Sequence, residues 1–441
     1  TVIPVCLFND RGVHICRSMW AWKEFGNGLT PEKAGVKGDH FVGDYYVMHA
    51  KILKEEVDRL VAEGLDLEEA EQKARASQEV LKMLELWESG DPEVRALWQR
   101  MNNWVYKGFE ATFRRLGVSF RKYYYESEIF PQIRQIVEEG LQRGVFERYA
   151  DGSVHVNLDS AGLGDKVILR SNGTALYITQ DIALAIQKAK DFSFDRSVYV
   201  VGNEQDHHFR VLFEILRRLE VQGHEKLYHL SYGMVELPSG RMKSREGTVV
   251  DADPLLDEMK EAARKAAQEA VKSLDIPEDE ADSLYEAVGQ AALRYHILRV
   301  EPRKKIVFNP EESIALQGDT GPFIQYTHAR IRKLMRDGQQ DMEELKKVGC
   351  ALPEEAERAL IKQLLRLDYT LEEAARTYNP ADLAHFTYAT AAAFSSYYQE
   401  VPILREKQPE VRRMRLLLAD RVGQILALGL RLLGIVPPER M

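Results

Sequence analysis

Little in these 441 residues answers to a metal, a membrane or a disulfide framework. The three cysteines, Cys6, Cys16 and Cys350, show no CxxC or other ligand spacing. Neither a structural zinc nor a disulfide scaffold is predicted, and a reducing cytoplasm fits. No apolar run approaches the ~18 residues of a membrane span. No basic, apolar and small-residue succession marks a secretory leader. A positive excess is missing as well: the net charge is −9, which argues against a general polyanion-binding surface.

What is present is the balance of an ordinary globular chain, 45% apolar and 29% charged, long enough for two or three domains. The charge is unevenly spread. Thr320 to Met441 holds 18 Lys+Arg against 16 Asp+Glu, a net of +2, which leaves −11 for the rest. A near-neutral C-terminal third beside an acidic body permits a specific nucleic-acid contact without requiring one.

The chain opens on Thr1, and "VIPVCLF" reads as a buried strand from the second residue onward, so the expectation is a chain cut within a domain. "VHICRSMWAWKEF" follows as a helix ending at Gly26. Asp91-Pro92 reads as a helix start, Asp as N-cap and Pro at the first helical position. Val94, Leu97, Trp98, Met101, Val105 and Phe109 recur behind it at helical spacing. A helical insertion is expected over about 50–121. Strands and helices alternate again from Lys166: "VILR", the turn Ser171-Asn172-Gly173, "TALYITQDIALAI", then Val198 to Val201, Gly202 and an amphipathic helix. That order predicts a mostly parallel sheet with ligands at the carboxyl ends of its strands. From Asp251 onward the pattern is helical, with no convincing strand, to a last helix closed by Gly434 and Pro437-Pro438.

Three stretches could carry chemistry. In "GMVELPSGRMKSREGTVV", Arg241, Lys243 and Arg245 alternate between Gly240 and Gly247, a cationic loop suited to a polyphosphate. A solvated hairpin tip explains the same residues. In "YITQD", Tyr177 and Asp181 stand four apart, and on a helix they share a face. A carboxylate beside a phenol suits a guanidinium, while an Asp in a first helical turn also answers to the helix dipole. "GNEQDHHF" crowds Asn203, Glu204, Gln205, Asp206, His207 and His208 behind Gly202, a place for hydrogen bonds to ribose or substrate. Adjacent histidines do not converge on one ion, and no metal site is predicted.

In order, these pieces resemble an arginyl-tRNA synthetase over nearly the whole chain. "GRMKSREG" is similar to the family's KMSKS-type loop, "TALYITQDIA" to its arginine pocket, and "YVVGNEQDHHF" to the strand and loop after it. "GDTGPFIQYTHARI", with "FSSYYQEVPIL" and the final "ERM", resembles its helical anticodon-binding domain. The resemblance implies a Rossmann-like parallel-sheet catalytic domain over 1–255, a helical connection over 256–319 and an all-α anticodon-binding domain over 320–441.

It also implies roles. Tyr177, Asp181, Gln205 and Asn9 would hold arginine, Asp181 pairing with the guanidinium; Asp10 belongs to the same loop. Gly202, His208, Gly233, Met234 and Val235 would meet ATP. Arg241, Lys243 and Arg245 would close over the pyrophosphate, although Ser244 stands where KMSKS has its second lysine. The HIGH-type motif and the tRNA-elbow domain would lie upstream of Thr1. Tyr326, Tyr397 and Tyr398 would stack anticodon bases, with Arg330 on phosphate and Arg332 and Lys333 as further cations. The implied reaction is attack of the arginine carboxylate on the α-phosphate of ATP, with Mg²⁺ sharing charge, then transfer to tRNA(Arg). A cytoplasmic monomer without membrane attachment is expected. Rival readings are another adenylyl-transferring enzyme on the same fold and a fragment that binds tRNA or arginine without catalysis.

Overall fold

The structure, a computed structural model, describes residues 1–236, 251–270, 278–338 and 353–441. The described residues form two compact units, Thr1–Ser197 with His207–Tyr228, and Val198–Asp206 with His229–Met441. None of the described helices is long and apolar enough to cross a membrane.

In the first unit β1 (Val5–Phe8) lies parallel to β2 (Lys122–Tyr125), in register from Val5↔Lys122 to Phe8↔Tyr125. Parallel neighbours need a crossover, and here it is a helical array. It comprises α1 (Val13–Phe25), α2 (Pro31–Ala34), α3 (Gly38–Ala62), α4 (Leu67–Lys73), α5 (Arg75–Ser89) and α6 (Pro92–Arg115). Gly12 starts α1 at φ 94°, a left-handed conformation that a side chain would strain. The Asp91 carboxylate caps α6 by accepting from the backbone N–H of Glu93 and Val94. The apolar stripe behind that cap packs inward: Met19, Trp20, Phe41, Met83, Trp87, Met101 and Trp104 form one buried cluster between α1, α3, α5 and α6.

β2 carries no alternating pattern, only the run Lys-Tyr-Tyr-Tyr. Aromatic packing holds it instead: Phe8 of β1 stacks on Tyr123 at 5.2 Å and on Tyr106 of α6 at 5.1 Å. Beyond β2 come α7 (Glu126–Ile129), α8 (Ile133–Gln142) and an antiparallel sheet of β3 (Glu147–Arg148), β4 (Val154–Asn157) and β5 (Asp165–Leu169). The turn at Ser171 to Gly173 then leads into α9 (Tyr177–Asp191).

The second unit contains the paired strands β6 (Ser197–Gly202, from its second residue) and β7 (Leu227–Tyr232, from His229). α10 (Asp206–Arg218) joins them and, from His207, belongs to the first unit. β8 (Val235–Glu236) pairs in parallel with β9 (Ile306–Val307). β9 corrects the expectation of no strand after Asp251: two residues are too few to show a period. α11 (Ala252–Ala270), α12 (Glu278–Leu298), α13 (Pro310–Ser313) and α14 (Gly321–Gly338) lead to α15 (Glu355–Leu364), α16 (Leu367–Thr377), α17 (Pro380–Glu400) and α18 (Pro409–Leu432). Tyr295, Ile324, Ile331, Phe394, Leu416, Val422 and Leu426 sit at the centre of one buried cluster. Gly321 lets α14 start directly against α12, where a Cβ would collide with the Ala291 carbonyl.

Candidate active site

The carboxyl ends of β1 and β2 bring together residues far apart in sequence. Asn9 follows β1, and its Nδ2 donates to Oε2 of Glu126 at 3.0 Å. Glu126 follows β2 as the first residue of α7 and is buried, 6% exposed. Its Oε1 accepts from Gln180 Nε2 of α9 at 2.5 Å. Burial pushes the Glu126 carboxyl above the usual carboxylate range, and the bonds from Asn9 and Gln180 and the nearby Arg11 charge partly offset that. Arg11 stacks 3.4 Å over the Phe130 ring and pairs with Glu88 at 2.6 Å. Neither Glu126 nor Gln180 figures among the sequence candidates. The available signal was "YYYESE", an acid placed directly after a strand.

Asp10 has a different use. Its carboxylate accepts from Ser127 N at 2.8 Å, Ser127 Oγ at 2.6 Å and the Tyr106 hydroxyl at 3.2 Å. Its carbonyl accepts from Trp98 Nε1 and Asn102 Nδ2. So engaged and buried, Asp10 ties the loop to α6 and α7 and leaves Asn9 at the open edge. An apolar cavity of about 150 Å³ underlies the loop, lined by Phe8, Met19, Met101, Tyr106 and Phe109 among others. A second cavity, of about 240 Å³, lies among α8, the end of α9 and residues 219–222, and none of the site residues lines it.

α9 begins at Tyr177, so Tyr177 and Asp181 are both helical and share a face. Tyr177 is 64% exposed, and Asp181 and Gln180 are half-buried. Asp181 Oδ2 lies 2.6 Å from His208 Nε2 of α10. Two turns along α9, burial pushes the Lys188 ammonium down to about 8 despite the attraction of Asp181. The structure thus gathers Asn9, Glu126 and Gln180 in one cluster and Asp181 and His208 in another, joined by the adjacency of Gln180 and Asp181 on α9.

In the second unit, β6 ends at Gly202, and Gln205 is exposed in the single helical turn that follows. His229 of β7 contacts the Val201 carbonyl through Nε2 and Asp206 Oδ1 through Nδ1, at 3.0 and 3.4 Å. Gly233 donates its N–H to the Pro302 carbonyl at 2.6 Å, and no Cβ fits beside the Lys304 carbonyl. Met234 accepts from Ile306 N and is 37% exposed; Val235 pairs with Ile306. Arg241, Lys243 and Arg245 lie outside the described residues.

Arg330 on α14 lies 4.6 Å over the Tyr326 ring and 5.6 Å from Tyr398 of α17, a partly exposed arrangement of two aromatics about a cation. Tyr397 departs from the expectation. It is 3% exposed in the helical core, with its hydroxyl 3.4 Å from Glu357, so no base can stack on it without opening that core. Arg332 is paired with Glu439 at 2.8 Å, while Lys333 is exposed.

A set in nucleophile–base–acid order occurs on the antiparallel sheet: Ser153 Oγ is 2.9 Å from His155 Nε2, and His155 Nδ1 is 2.5 Å from Asp165. Ser153 is buried, and its hydroxyl also lies 2.5 Å from Asp151 as a donor. A hydroxyl whose proton is drawn to a second carboxylate closes the turn rather than attacking a substrate.

Comparison with known proteins places this geometry. The family profile described as "tRNA synthetases class I (R), catalytic domain" matches residues 46–309, and "DALR anticodon binding domain" matches 324–441. The chain is 46% identical to an arginine–tRNA ligase of Parabacteroides distasonis, over all of this chain and 74% of that protein. It is 48% identical to one of Flavobacterium psychrophilum, over 99% of this chain and 72% of the relative. Among solved structures it matches Thermus thermophilus arginyl-tRNA synthetase with a TM-score of 0.81 and 25% identity, over all of this chain and 76% of that one. A Mycobacterium tuberculosis methionyl-tRNA synthetase holding methionyl-adenylate shares the fold, with a TM-score of 0.55 at 13% identity.

Proposed function

The chain belongs to the arginyl-tRNA synthetases, the ATP-dependent arginine–tRNA ligases, and from that premise we propose how its residues divide the work. Its substrates are L-arginine, ATP and tRNA. In the first step an arginine carboxylate oxygen attacks the α-phosphorus of magnesium-bound ATP, the bond to the β-phosphate bridging oxygen breaks, and pyrophosphate leaves. A terminal ribose hydroxyl of tRNA(Arg) then attacks the adenylate carbonyl, and AMP leaves. Neither step needs a covalent enzyme intermediate. The protein contributes position and electrostatic stabilisation.

The observation that supports the assignment of parts is the face of α9 that carries Tyr177 and Asp181. Asp181, half-open to water and four residues from the Tyr177 phenol, is the proposed partner of the guanidinium. Glu126, oriented by Asn9 and Gln180, supplies a second negative group for the same cation. Gln205 is the further arginine contact. Gly202, Gly233, Met234 and Val235 are the proposed nucleotide contacts of the second unit, and His208 that of the first. Arg241, Lys243 and Arg245 meet the departing pyrophosphate. Residues 1–255 form the catalytic part and 320–441 the anticodon-binding part, where Tyr326, Tyr398 and Arg330 meet unpaired bases and phosphate. The working form is a cytoplasmic monomer.

Asp181→Asn tests the central assignment. It keeps the shape and removes the charge, so arginine should bind roughly two orders of magnitude more weakly while ATP binding holds. Calorimetric titration of each ligand decides it: unchanged arginine affinity removes Asp181 from the site.

A further inference from the structure

Arg11 is a buried cation beside the proposed arginine site. It stands two residues after Asn9, in the loop between β1 and α1, and its side chain is 6% exposed. Its Nη2 donates to Oε1 of Glu88 on α5 at 2.6 Å, yet the Glu88 side chain is 45% exposed. A partner half in water does little to offset the desolvation of a buried guanidinium. Rings hold the rest of the group. Its carbon lies 3.4 Å over Phe130 and 5.3 Å from the ring of Trp87. Trp87 is itself held by Arg95, which sits 3.6 Å over its ring and donates to its carbonyl. The guanidinium is therefore fixed against α5 and against the turn that follows α7.

Phe130 comes four residues after Glu126, one helical turn on, and its backbone N–H donates to the Glu126 carbonyl. The ring that carries Arg11 thus borders Glu126, and the two charges act on each other. Asp10, the other acid of the loop, gives its carboxylate to Ser127 and Tyr106. The Glu126 oxygens accept from the amides of Asn9 and Gln180. Amides orient a carboxylate without cancelling its charge, and a buried charge needs an opposite one within reach. Among the described residues Arg11 pairs with Glu88 and not with Glu126. It can offset the Glu126 charge while both oxygens keep a lone pair for a ligand.

We propose that Arg11 is a positioning residue for the substrate guanidinium: held on Phe130, it keeps Glu126 in place and balances its charge without occupying the place of the ligand. The inference rests on the reading of Glu126 as a second partner of that guanidinium. It also ties Glu126 to the helical insertion, since α5 supplies both Glu88 and Trp87.

The test is a double-mutant cycle, read by calorimetric titration of the full chain with L-arginine at concentrations that follow the weaker variants. Arg11→Met should weaken arginine binding about tenfold, a middling value for residues coupled through contact, and leave ATP affinity unchanged. In a Glu126→Gln background the same change should weaken it less than about twofold, because the charge it serves is gone. An equal loss in both backgrounds, or a matching loss for ATP, makes Arg11 a general support of the fold and overturns the proposal. Wild-type arginine affinity in Arg11→Met overturns it too, with the Glu126 reading intact. Wild-type affinity in Glu126→Gln, or no uptake of arginine by the wild-type chain, brings down that reading and this inference together. If Arg11→Met does not fold, Phe130→Leu takes its place in the cycle. It removes the ring under the guanidinium and should weaken arginine binding about threefold, an effect that should vanish beside Glu126→Gln; an equal effect in both backgrounds overturns the proposal.

Discussion

Asp181 and Glu357 each sit against a nitrogen cation or imidazole, and they differ in how much of that charge is committed. Glu357 is fully buried and bonded to Arg415, whose guanidinium also reaches Glu406 and the Pro402 carbonyl at 2.9 Å each. Tyr397 closes the same group. Asp181 is in contact with His208 through Oδ2, lies within the influence of Lys188 and stands partly in water. A buried charge leaves water only when its bonding capacity is filled, so the Arg415 cluster reads as scaffold. A half-open acid can still take a ligand. The same contrast separates Tyr397 from Tyr398.

The largest way to break the contrast is Arg415→Met, which strands Glu357 without its cation. Unfolding stability should fall by about 3–5 kcal/mol in a denaturant titration, with arginine affinity untouched. A loss under about 1 kcal/mol would mean that the cluster is no scaffold. Asp181→Asn is the mirror experiment: a large loss of arginine affinity with a melting curve close to wild type. Equal damage to folding would erase the distinction between the two acids.

Tyr398→Ala sharpens the aromatic half. It should weaken tRNA binding by about 1–3 kcal/mol, the worth of one stacked base, with little change in thermal stability. Tyr397→Ala should do the reverse, opening a cavity in the core. A filter-binding titration beside a melting curve separates the two.

The smallest effect belongs to Glu214, on the same helix as His208. Its bonds from Arg217 and then Arg218 hold its carboxyl down at about 2, against an ordinary 4.5. A depressed acid contributes stability above the unfolded value and loses it as pH falls toward the folded one. Acid unfolding of Glu214→Gln should therefore be shallower between about 4.5 and about 2. Parallel pH curves for both chains would show that the pair adds nothing.

Much of the architecture was legible because it is written locally. The α1 boundaries and the Asp91 cap follow from periods, caps and glycines that act within a few residues. The order of motifs was enough to mark the family. β2 and β9 were not legible: a tyrosine run has no alternation, and two residues have no period. Glu126 was hidden for a related reason, since its meaning depends on Asn9, 117 residues earlier, and Gln180, 54 later.

By itself the sequence determined which residue types stand at the ends of strands and turns of helices, and that Tyr177 and Asp181 share a face once that stretch is helical. Tertiary structure decided which polar groups are already committed. It engaged Asp10 and Tyr397 structurally, set Glu126 beside Asn9, and placed a half-open Asp181 against His208. Commitment depends on partners tens of residues away and on access to water, and neither quantity exists until the chain has folded.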